Sequence, residues 1–149
     1  MVTYLDDNYL EDIIELRIRE QYEYNNINKN EQYEKKTREY FTKHVGKDLL
    51  NFGIIENEKI VSIASFIKLE YAPVVNGDGK EIYIFNVYTI PEYRRKGYAR
   101  CTLSYGIDYL KKLNYNCFRL HTNNEIAKKI YLGLGFHMSS TSMSLFVDR

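Results

Sequence analysis

The stretch of residues 82–100 constrains this chain more than any other part of the sequence. Residues 82–89 form an apolar run typical of a strand, and Pro91 ends it because proline cannot donate a ladder hydrogen bond. A basic loop with one glycine, Gly97, then leads into a helix. Backbone N–H groups at a helix start lack internal partners and carry partial positive charge. The stretch predicts a cradle for a phosphorylated ligand, with a plain solvated loop as the alternative.

The remaining pattern predicts a mixed α/β fold of the α+β type, with a mostly antiparallel central sheet and helices on both faces. The predicted order begins with a strand at 2–5 and a helix that runs to about Tyr22. Asp6, Asp7 and Asn8 are candidate caps for that helix, and Asn8 with Glu11 has capping-box spacing. There follow a helix at 31–45 ended by Gly46, a hairpin of strands 51–56 and 59–69, an antiparallel strand at 81–89, a helix at 98–113, a parallel strand at 116–122, a helix at 125–132 and one or two strands in 136–147.

Composition limits the classes of partner. A chain of 149 residues is expected to form one domain spanning 1–149. The net charge of +1 gives no electrostatic case for nucleic acid or an anionic membrane. No apolar run is long enough to span a bilayer and no signal peptide begins the chain, so we expect the cytoplasm as its compartment.

Cysteine and histidine indicate no metal site. Cys101 and Cys117 form no CxxC motif, and we expect both to be small buried side chains. The three histidines are scattered along the sequence rather than set at ligand spacing.

Two motifs resemble one known family. The run VYTIPEYRRKGYA at 87–99 closely resembles the acetyl-CoA site of the GNAT superfamily of N-acetyltransferases. In that family the loop has the pattern Arg/Gln-x-x-Gly-x-Gly/Ala, which Arg94, Gly97 and Ala99 match. The second motif, NEIAKKIYLGLGF at 124–136, is similar to the family's Asn-x-x-Ala-x-x-Leu-Tyr followed by Gly-Phe. Its places are filled by Asn124, Ala127, Ile130, Tyr131, Gly135 and Phe136.

The resemblance implies acetyl-CoA as acyl donor and a role for each matching residue. The strand edge would pair with the pantetheine arm, the loop would hold the pyrophosphate, and the last helix would contact the cofactor and the thioester sulfur. In chain order these residues are Val87, Tyr88 and Thr89 on the strand, Arg94, Arg95, Lys96, Gly97, Tyr98, Ala99 and Arg100 in the loop, and Asn124, Ala127 and Tyr131 on the helix.

The implied reaction is attack of an amine on the thioester. The backbone N–H of Val87 would polarise the carbonyl oxygen, and Tyr131 would act as general acid toward the leaving thiolate. On spacing alone Tyr131 belongs to the apolar stripe of its helix, so core packing is the alternative. Residues 84–89 contain no carboxylate, which leaves water, Glu20 or Glu70 as routes for the amine proton.

The acceptor amine belongs to a small molecule or a peptide, and its class is left open among a polyamine, an aminoglycoside, an amino acid and a protein N-terminus. Candidates for lining its site are Tyr22, Tyr24, Tyr33, Tyr71 and Asn86. An aromatic wall suits a cationic or an apolar acceptor. A non-catalytic acyl-CoA sensor is the alternative function, and a homodimer through C-terminal strands is also left open.

Overall fold

The computed structural model describes residues 1–139 and 141–147. Its strands are β1 (Val2–Leu5), β2 (Leu49–Glu56), β3 (Lys59–Glu70), β4 (Lys80–Thr89) and β5 (Phe118–Arg119), and its helices are α1 (Leu10–Asn25), α2 (Glu31–His44), α3 (Tyr98–Lys112) and α4 (Glu125–Gly133). Short 3₁₀ turns at Asp7–Tyr9 and Pro91–Tyr93 precede α1 and follow β4.

The five strands form one sheet in the order in which they occur along the chain. The first four pair antiparallel, and β5 pairs parallel to β4 after the crossover through α3. The predicted mixed, mostly antiparallel sheet is therefore confirmed. The predicted hairpin of β2 and β3 also forms, with a turn at Asn57 and Glu58 in which both residues have positive φ.

Helices cover both faces of the sheet, as the sequence predicts, because strand side chains alternate between faces. On one face, Ile13 and Ile14 of α1 pack with Phe41 of α2 and Ile63 of β3. On the other, α3 and α4 cover β2, β3 and β4, and their buried side chains include Phe52, Phe66, Leu103, Leu110 and Tyr131.

One glycine allows α3 to lie close to the sheet. A Cβ at Gly106 would stand 2.4 and 2.5 Å from two ring atoms of Phe66 and 3.1 Å from Phe52. Those distances are well inside van der Waals contact, so any larger residue would push the helix away from β3. Gly106 therefore fixes the depth at which α3 packs.

The structure corrects three predictions about local elements. Of the candidate caps, Asp6 is the one that acts, because its carboxylate accepts from the Asn8 N–H at 3.0 Å at the start of the short turn. The capping box of Asn8 and Glu11 is wrong, because α1 begins only at Leu10. The strand at 116–122 is reduced to two residues, because β4 bends at a bulge just beyond the last parallel pair.

The predicted C-terminal strands are also wrong for the part of the tail that the structure describes. Residues 136–139 and 141–147 contain no strand, and Ser140 lies outside the described residues. The side chain of Phe146 is 90% exposed. A strand needs a neighbouring ladder, and β5 offers a ladder of only two residues at this edge.

The two cysteines are not the buried pair that was expected. Cys101 is exposed and Cys117 is half-buried. Cys101 lies on the outer face of α3, because the buried stripe of that helix is formed by Thr102, Leu103, Gly106, Ile107 and Leu110. Within residues 1–139 and 141–147, no three His, Cys, Asp or Glu side chains are grouped to hold a metal ion. None of the helices in those ranges has the length and apolar composition needed to cross a membrane.

Candidate functional site

A β-bulge in β4 creates the central feature of the site. Ile63 of β3 faces Tyr88 and Ser65 faces Phe85, so the single residue Ala64 stands opposite both Asn86 and Val87. Asn86 has a φ of +52°, in the left-handed region that asparagine tolerates better than most residues. The extra residue bends the strand and reverses which edge each later N–H faces.

That reversal directs the Val87 N–H out of the sheet. Before the bulge, Ile82 donates its N–H to Cys117 O at 2.8 Å, toward β5. After it, Ile90 donates to Val61 O at 3.0 Å, toward β3. Because edges alternate along a strand, the N–H groups of Val87 and Thr89 face the gap where β5 has already ended.

The loop between β4 and α3 presents a second set of unpaired donors. From Arg95 to Arg100 the backbone N–H groups have no hydrogen-bond acceptor among the described residues, and the next bond is Cys101 N–H to Gly97 O at 3.1 Å. Arg95 and Gly97 both have positive φ, which curves the loop. A Cβ at Gly97 would meet no atom within 4 Å, so the space in front of the loop is open. Such a concave row of N–H groups at a helix start fits a diphosphate.

The basic side chains of the loop have different partners. Arg94 turns away from the row of N–H groups toward α1, where its Nη2 lies 2.8 Å from Glu23 and its guanidinium stacks 5.5 Å from the Tyr88 ring. Its Nε also donates to Thr89 O at 2.9 Å. Arg94 is thus a clamp between the loop and α1 in this structure.

The other side chains of this loop are placed as follows. Lys96 stacks over Tyr93 at 5.0 Å, and Arg100 donates to Gly133 O at 3.4 Å, joining the start of α3 to the end of α4. The Tyr98 hydroxyl donates to Glu56 on β2, and Ala99 lies in the first turn of α3. The open space in front of the loop is therefore bordered by main chain rather than by large side chains.

Tyr88 and Glu23 form a coupled pair beneath the loop. The buried Tyr88 hydroxyl donates to Glu23 Oε2 at 2.6 Å. Burial and this bond raise the pKa of Tyr88 to about 12. The same bond, together with Arg94, holds the pKa of Glu23 below its ordinary value. Glu23 is therefore fixed as a carboxylate that accepts hydrogen bonds.

α4 contributes the second motif to the same face of the sheet as α3. Asn124 caps the helix, because its Oδ1 accepts from the N–H groups of Ile126 and Ala127 at 2.9 and 3.0 Å. Tyr131 is 8% exposed and packs against Phe136 with ring centroids 5.9 Å apart. Burial raises the pKa of Tyr131 to about 12, so the hydroxyl keeps its proton at neutral pH.

The opposite face of the bulge carries a buried polar relay. Asn86 Nδ2 donates to Ser65 Oγ at 3.1 Å, and Ser65 donates to Asn51 Oδ1 at 2.5 Å. Asn86 Oδ1 is buried and has no partner among the described residues. The Nδ2 atom of Asn51, at the other end of the relay, is also buried without a partner among the described residues, so the relay leaves one polar atom unpaired at each end.

A pair that the sequence did not reveal lies beside the relay. The Tyr83 hydroxyl is 3.0 Å from His121 Nδ1, and the two rings are 5.5 Å apart. Tyr83 also stacks on Phe85, with centroids 6.3 Å apart. The only sequence signal for this contact was the predicted parallel strand at 116–122. In the structure Tyr83 pairs with Arg119, which brings the loop after β5 alongside β4.

Two cavities flank the α1–α2 side and receive some of the predicted tyrosines. The larger, about 670 Å³, lies between α1, α2 and Pro91 and includes Tyr22, whose hydroxyl donates to Glu34 at 2.8 Å. The smaller, about 270 Å³, lies between α1, α2 and β4 and includes Tyr33. Tyr24 bridges from α1 to Asn123 in the loop before α4, at 3.3 Å.

Other candidates are placed elsewhere. Tyr71 follows β3 at the opposite end of the hairpin, where its N–H donates to Gly79 O. Glu70 pairs with Lys80 there, roughly 23 Å along β4 from Val87 at 3.3 Å per residue. Glu20 lies on α1 and pairs with Arg17 at 3.2 Å. The structure therefore does not bring Tyr71 or Glu70 to the bulge.

Comparison with known proteins gives one family match and several structural neighbours. The acetyltransferase (GNAT) family model matches residues 10–136. A predicted acetyltransferase from Clostridium acetobutylicum, solved with acetyl-CoA, superposes with a TM-score of 0.86 at 23% identity over 98% of this chain and 96% of that one. A GCN5-related N-acetyltransferase from Ralstonia eutropha gives 0.77 at 15% identity over 99% and 97%.

An aminoglycoside N-acetyltransferase, AAC(6')-Iy, solved in complex with CoA, superposes with a TM-score of 0.68 at 14% identity over 100% of this chain and 98% of that one.

Sequence comparison also finds a different protein class. Small ribosomal subunit protein uS8 from Desulfitobacterium hafniense is 29% identical, and that from Staphylococcus carnosus 30% identical, over 105 residues that cover 66% of this chain and 76% of each relative. The family match and the ribosomal match disagree. The family model covers residues 10–136, a larger part of this chain than the 66% that the ribosomal relatives match, and the fold is the one that the acetyltransferase structures share.

Proposed function

Because this chain belongs to the acetyltransferase (GNAT) family, an N-acetyltransferase fold that uses acetyl-CoA as donor, we propose that it transfers an acetyl group to a primary amine of a small molecule or peptide. The observation that carries the proposal is that the Val87 N–H faces the edge of β4 left open where β5 ends, and that the loop that follows presents the unpaired N–H groups of residues 95–100. The first suits a carbonyl oxygen and the second suits phosphate oxygens.

The donor site is formed largely by main chain. Acetyl-CoA supplies an activated thioester and a diphosphate. The loop N–H groups and the open space before Gly97 suit the diphosphate, and the free edge of Val87, Tyr88 and Thr89 suits the pantetheine amides. The neighbour from Clostridium acetobutylicum was solved with acetyl-CoA, which supports this assignment.

Val87 and Tyr131 act on opposite ends of the thioester in this proposal. The Val87 N–H donates to the carbonyl oxygen, whose negative charge grows as the amine attacks. Tyr131 donates its proton to the sulfur as the carbon–sulfur bond breaks. Its pKa of about 12 keeps it protonated in the resting enzyme, and it regains a proton from solvent after CoA leaves.

The amine must be neutral to attack, so its ammonium form must first lose a proton. We assign the acceptance of that proton to Tyr83 and His121. Tyr83 precedes Val87 by four residues, so the amine passes its proton through water to the Tyr83 oxygen while the Tyr83 hydroxyl proton passes to His121 Nδ1, 3.0 Å away. Exposed His121 then releases a proton to water, and the nitrogen loses its second proton to water as the amide forms. Glu23 is a poorer base, because its bonds to Tyr88 and Arg94 lower its pKa.

Asn86 orients the amine in this scheme. Its Oδ1 is a buried acceptor without a partner among the described residues, next in sequence to Val87. An amine N–H donated to it satisfies that atom and points the nitrogen lone pair toward the carbonyl.

Calorimetry on a matched pair of variants tests the donor site. Gly97→Glu and Gly97→Gln place side chains of equal size at the same φ of +78°, so they share the backbone strain and differ in charge. We expect wild type to bind acetyl-CoA and Gly97→Glu to bind at least about tenfold more weakly than Gly97→Gln, which is about 1.4 kcal/mol. No binding by wild type, or equal binding by all three proteins, contradicts the proposal.

Measuring CoA release with a panel of amines then distinguishes a transferase from a non-catalytic sensor. Turnover of any primary amine that Tyr131→Phe slows supports the transferase. Tight acetyl-CoA binding with no turnover of any amine supports a non-catalytic acyl-CoA-binding module instead.

A further inference from the structure

The smaller cavity, between α1, α2 and β4, has a lining that favours one class of acceptor. Aromatic rings and two cationic side chains surround it, and no carboxylate does: the lining residues are Arg17, Tyr33, Lys36, Thr37, Tyr40, Phe41 and Phe85. Resting on the proposed function, we propose that this cavity holds the acceptor, and that the acceptor is a primary amine with a flat apolar body and an anionic group.

The position of the cavity on β4 favours it over the larger one. Phe85 precedes Val87 by two residues, about 7 Å along the strand, with Asn86 between them. The larger cavity includes no residue of β4, and its lining approaches the strand only at Pro91, in the 3₁₀ turn four residues beyond Val87. An amine in the smaller cavity therefore starts closer to the polarised carbonyl.

The aromatic side chains give the cavity an apolar wall of inclined rings. Tyr40 and Phe41 of α2 meet Phe85 of β4 with ring centroids 6.3 and 6.4 Å apart and interplanar angles of 73° and 46°. Tyr83 continues the wall from Phe85 to His121. A planar apolar group fits such a wall through edge-to-face contacts, whereas a sugar or a polyamine chain would leave the rings partly wet.

Two polar side chains of the lining, Tyr33 and Lys36, are suited to bind an anion. The Tyr33 hydroxyl is buried and has no partner in the described part of the chain. Lys36 takes part in none of the ion pairs found within residues 1–139 and 141–147, whereas Arg17 already forms an ion pair with Glu20 at 3.2 Å. A carboxylate would accept from the hydroxyl and pair with Lys36.

Size and charge argue against a polycation here. A volume of about 270 Å³ lies just below the range of drug-sized ligand sites, so it suits a single-ring amine rather than an aminoglycoside. The larger cavity has the opposite character, because Glu15, Glu23 and Glu34 line it with Arg19 as the single cation. Polycations would therefore be attracted away from the smaller cavity.

Matched acceptor pairs test the charge preference in full-length protein. The pairs are phenylalanine with phenethylamine, tyrosine with tyramine, and para-aminomethylbenzoate with benzylamine, and spermidine and kanamycin serve as polycations. We expect at least one carboxylate-bearing member to exceed its counterpart without the carboxylate in kcat/KM by about tenfold or more, and to exceed both polycations. Equal rates within every pair, or preference for a polycation, overturn the inference.

Charge variants locate the preference. We expect Lys36→Glu to lower, by about tenfold or more, the ratio of kcat/KM for the carboxylate-bearing acceptor to kcat/KM for its counterpart. Tyr33→Phe keeps the ring and should lower the same ratio by removing one hydrogen-bond donor. Lys35→Glu makes the same charge change on the neighbouring exposed residue, outside the lining, and leaves the ratio within about threefold. Equal effects of Lys36→Glu and Lys35→Glu contradict the site. Turnover of no amine by wild type is a separate failure, which overturns the proposed function itself.

Discussion

Removal of Glu23 tests whether Arg94 and Tyr88 are held as a clamp beneath the donor loop. Glu23→Ala deprives the buried Tyr88 hydroxyl of its 2.6 Å acceptor and removes the 2.8 Å ion pair with Arg94. A buried hydroxyl left without a partner costs about 1–3 kcal/mol, and an exposed ion pair contributes about 0.2–1 kcal/mol. The free energy of unfolding should therefore fall by about 2 kcal/mol, which lowers Tm by about 4–8 °C for a chain of this size.

The hydroxyl, rather than the ion pair, carries most of that expected loss. Both ionic side chains are more than 40% exposed, so solvent screens their attraction. Glu23→Gln keeps an acceptor for the Tyr88 hydroxyl, so it should retain most of the stability that Glu23→Ala loses. Glu15→Ala, an exposed change on the same helix, serves as the matched control.

The charge of Glu23 makes part of the effect dependent on pH. Its pKa in the folded protein is lowered from the ordinary value of 4.5, so its stabilisation is present above that value. The stabilisation is lost as pH falls through the lower folded pKa. The Tm difference between wild type and Glu23→Gln should therefore shrink in acid.

Thermal unfolding followed by circular dichroism measures these differences, and calorimetry with acetyl-CoA measures the consequence for the donor loop. We expect weaker acetyl-CoA binding by Glu23→Ala, because Arg94 no longer anchors the loop to α1. A Tm for Glu23→Ala equal to that of Glu15→Ala would refute the clamp.

Three further changes have defined outcomes. Tyr131→Phe should lower kcat by about a hundredfold or more with unchanged acetyl-CoA affinity, measured by CoA release and calorimetry, and an unchanged kcat would refute its role as acid. His121→Gln should lower kcat/KM by about tenfold or more, because it removes the Nδ1 atom that lies 3.0 Å from the Tyr83 hydroxyl, and an unchanged kcat/KM would contradict that role. Gly106→Ala should lower the free energy of unfolding by about 1–3 kcal/mol in urea denaturation, since its Cβ would overlap Phe66, and wild-type stability would contradict the packing depth of α3.

The sequence predicted the local geometry of the loop before α3 and of the start of α4, because the signals for both are local. Gly97 in a basic loop and Asn124 before an apolar helix are read from neighbouring residues, and the structure gives them the positive φ and the helix cap that such positions favour. The sheet order followed from hairpin and crossover patterns for the same reason.

The side chains that we propose for the acceptor side are brought together by contacts between distant residues, which no local pattern encodes. Tyr83 meets His121 across 38 positions, and Arg94 meets Glu23 across 71. The bulge at Asn86 interrupts an apolar run that otherwise resembles an ordinary strand, and it decides which edge the Val87 N–H faces. The tail residues were given strands from alternation alone, which cannot supply a pairing partner.

Backbone amide NMR during titration with acetyl-CoA tests the central claim most directly. If the bulge and the loop form the donor site, the amide signals of Val87 and of residues 95–100 shift together and saturate at the calorimetric affinity, while the amides of β1, on the far edge of the sheet, stay in place. Shifts confined to the α1–α2 cavities, with Val87 and residues 95–100 unmoved, would contradict the account.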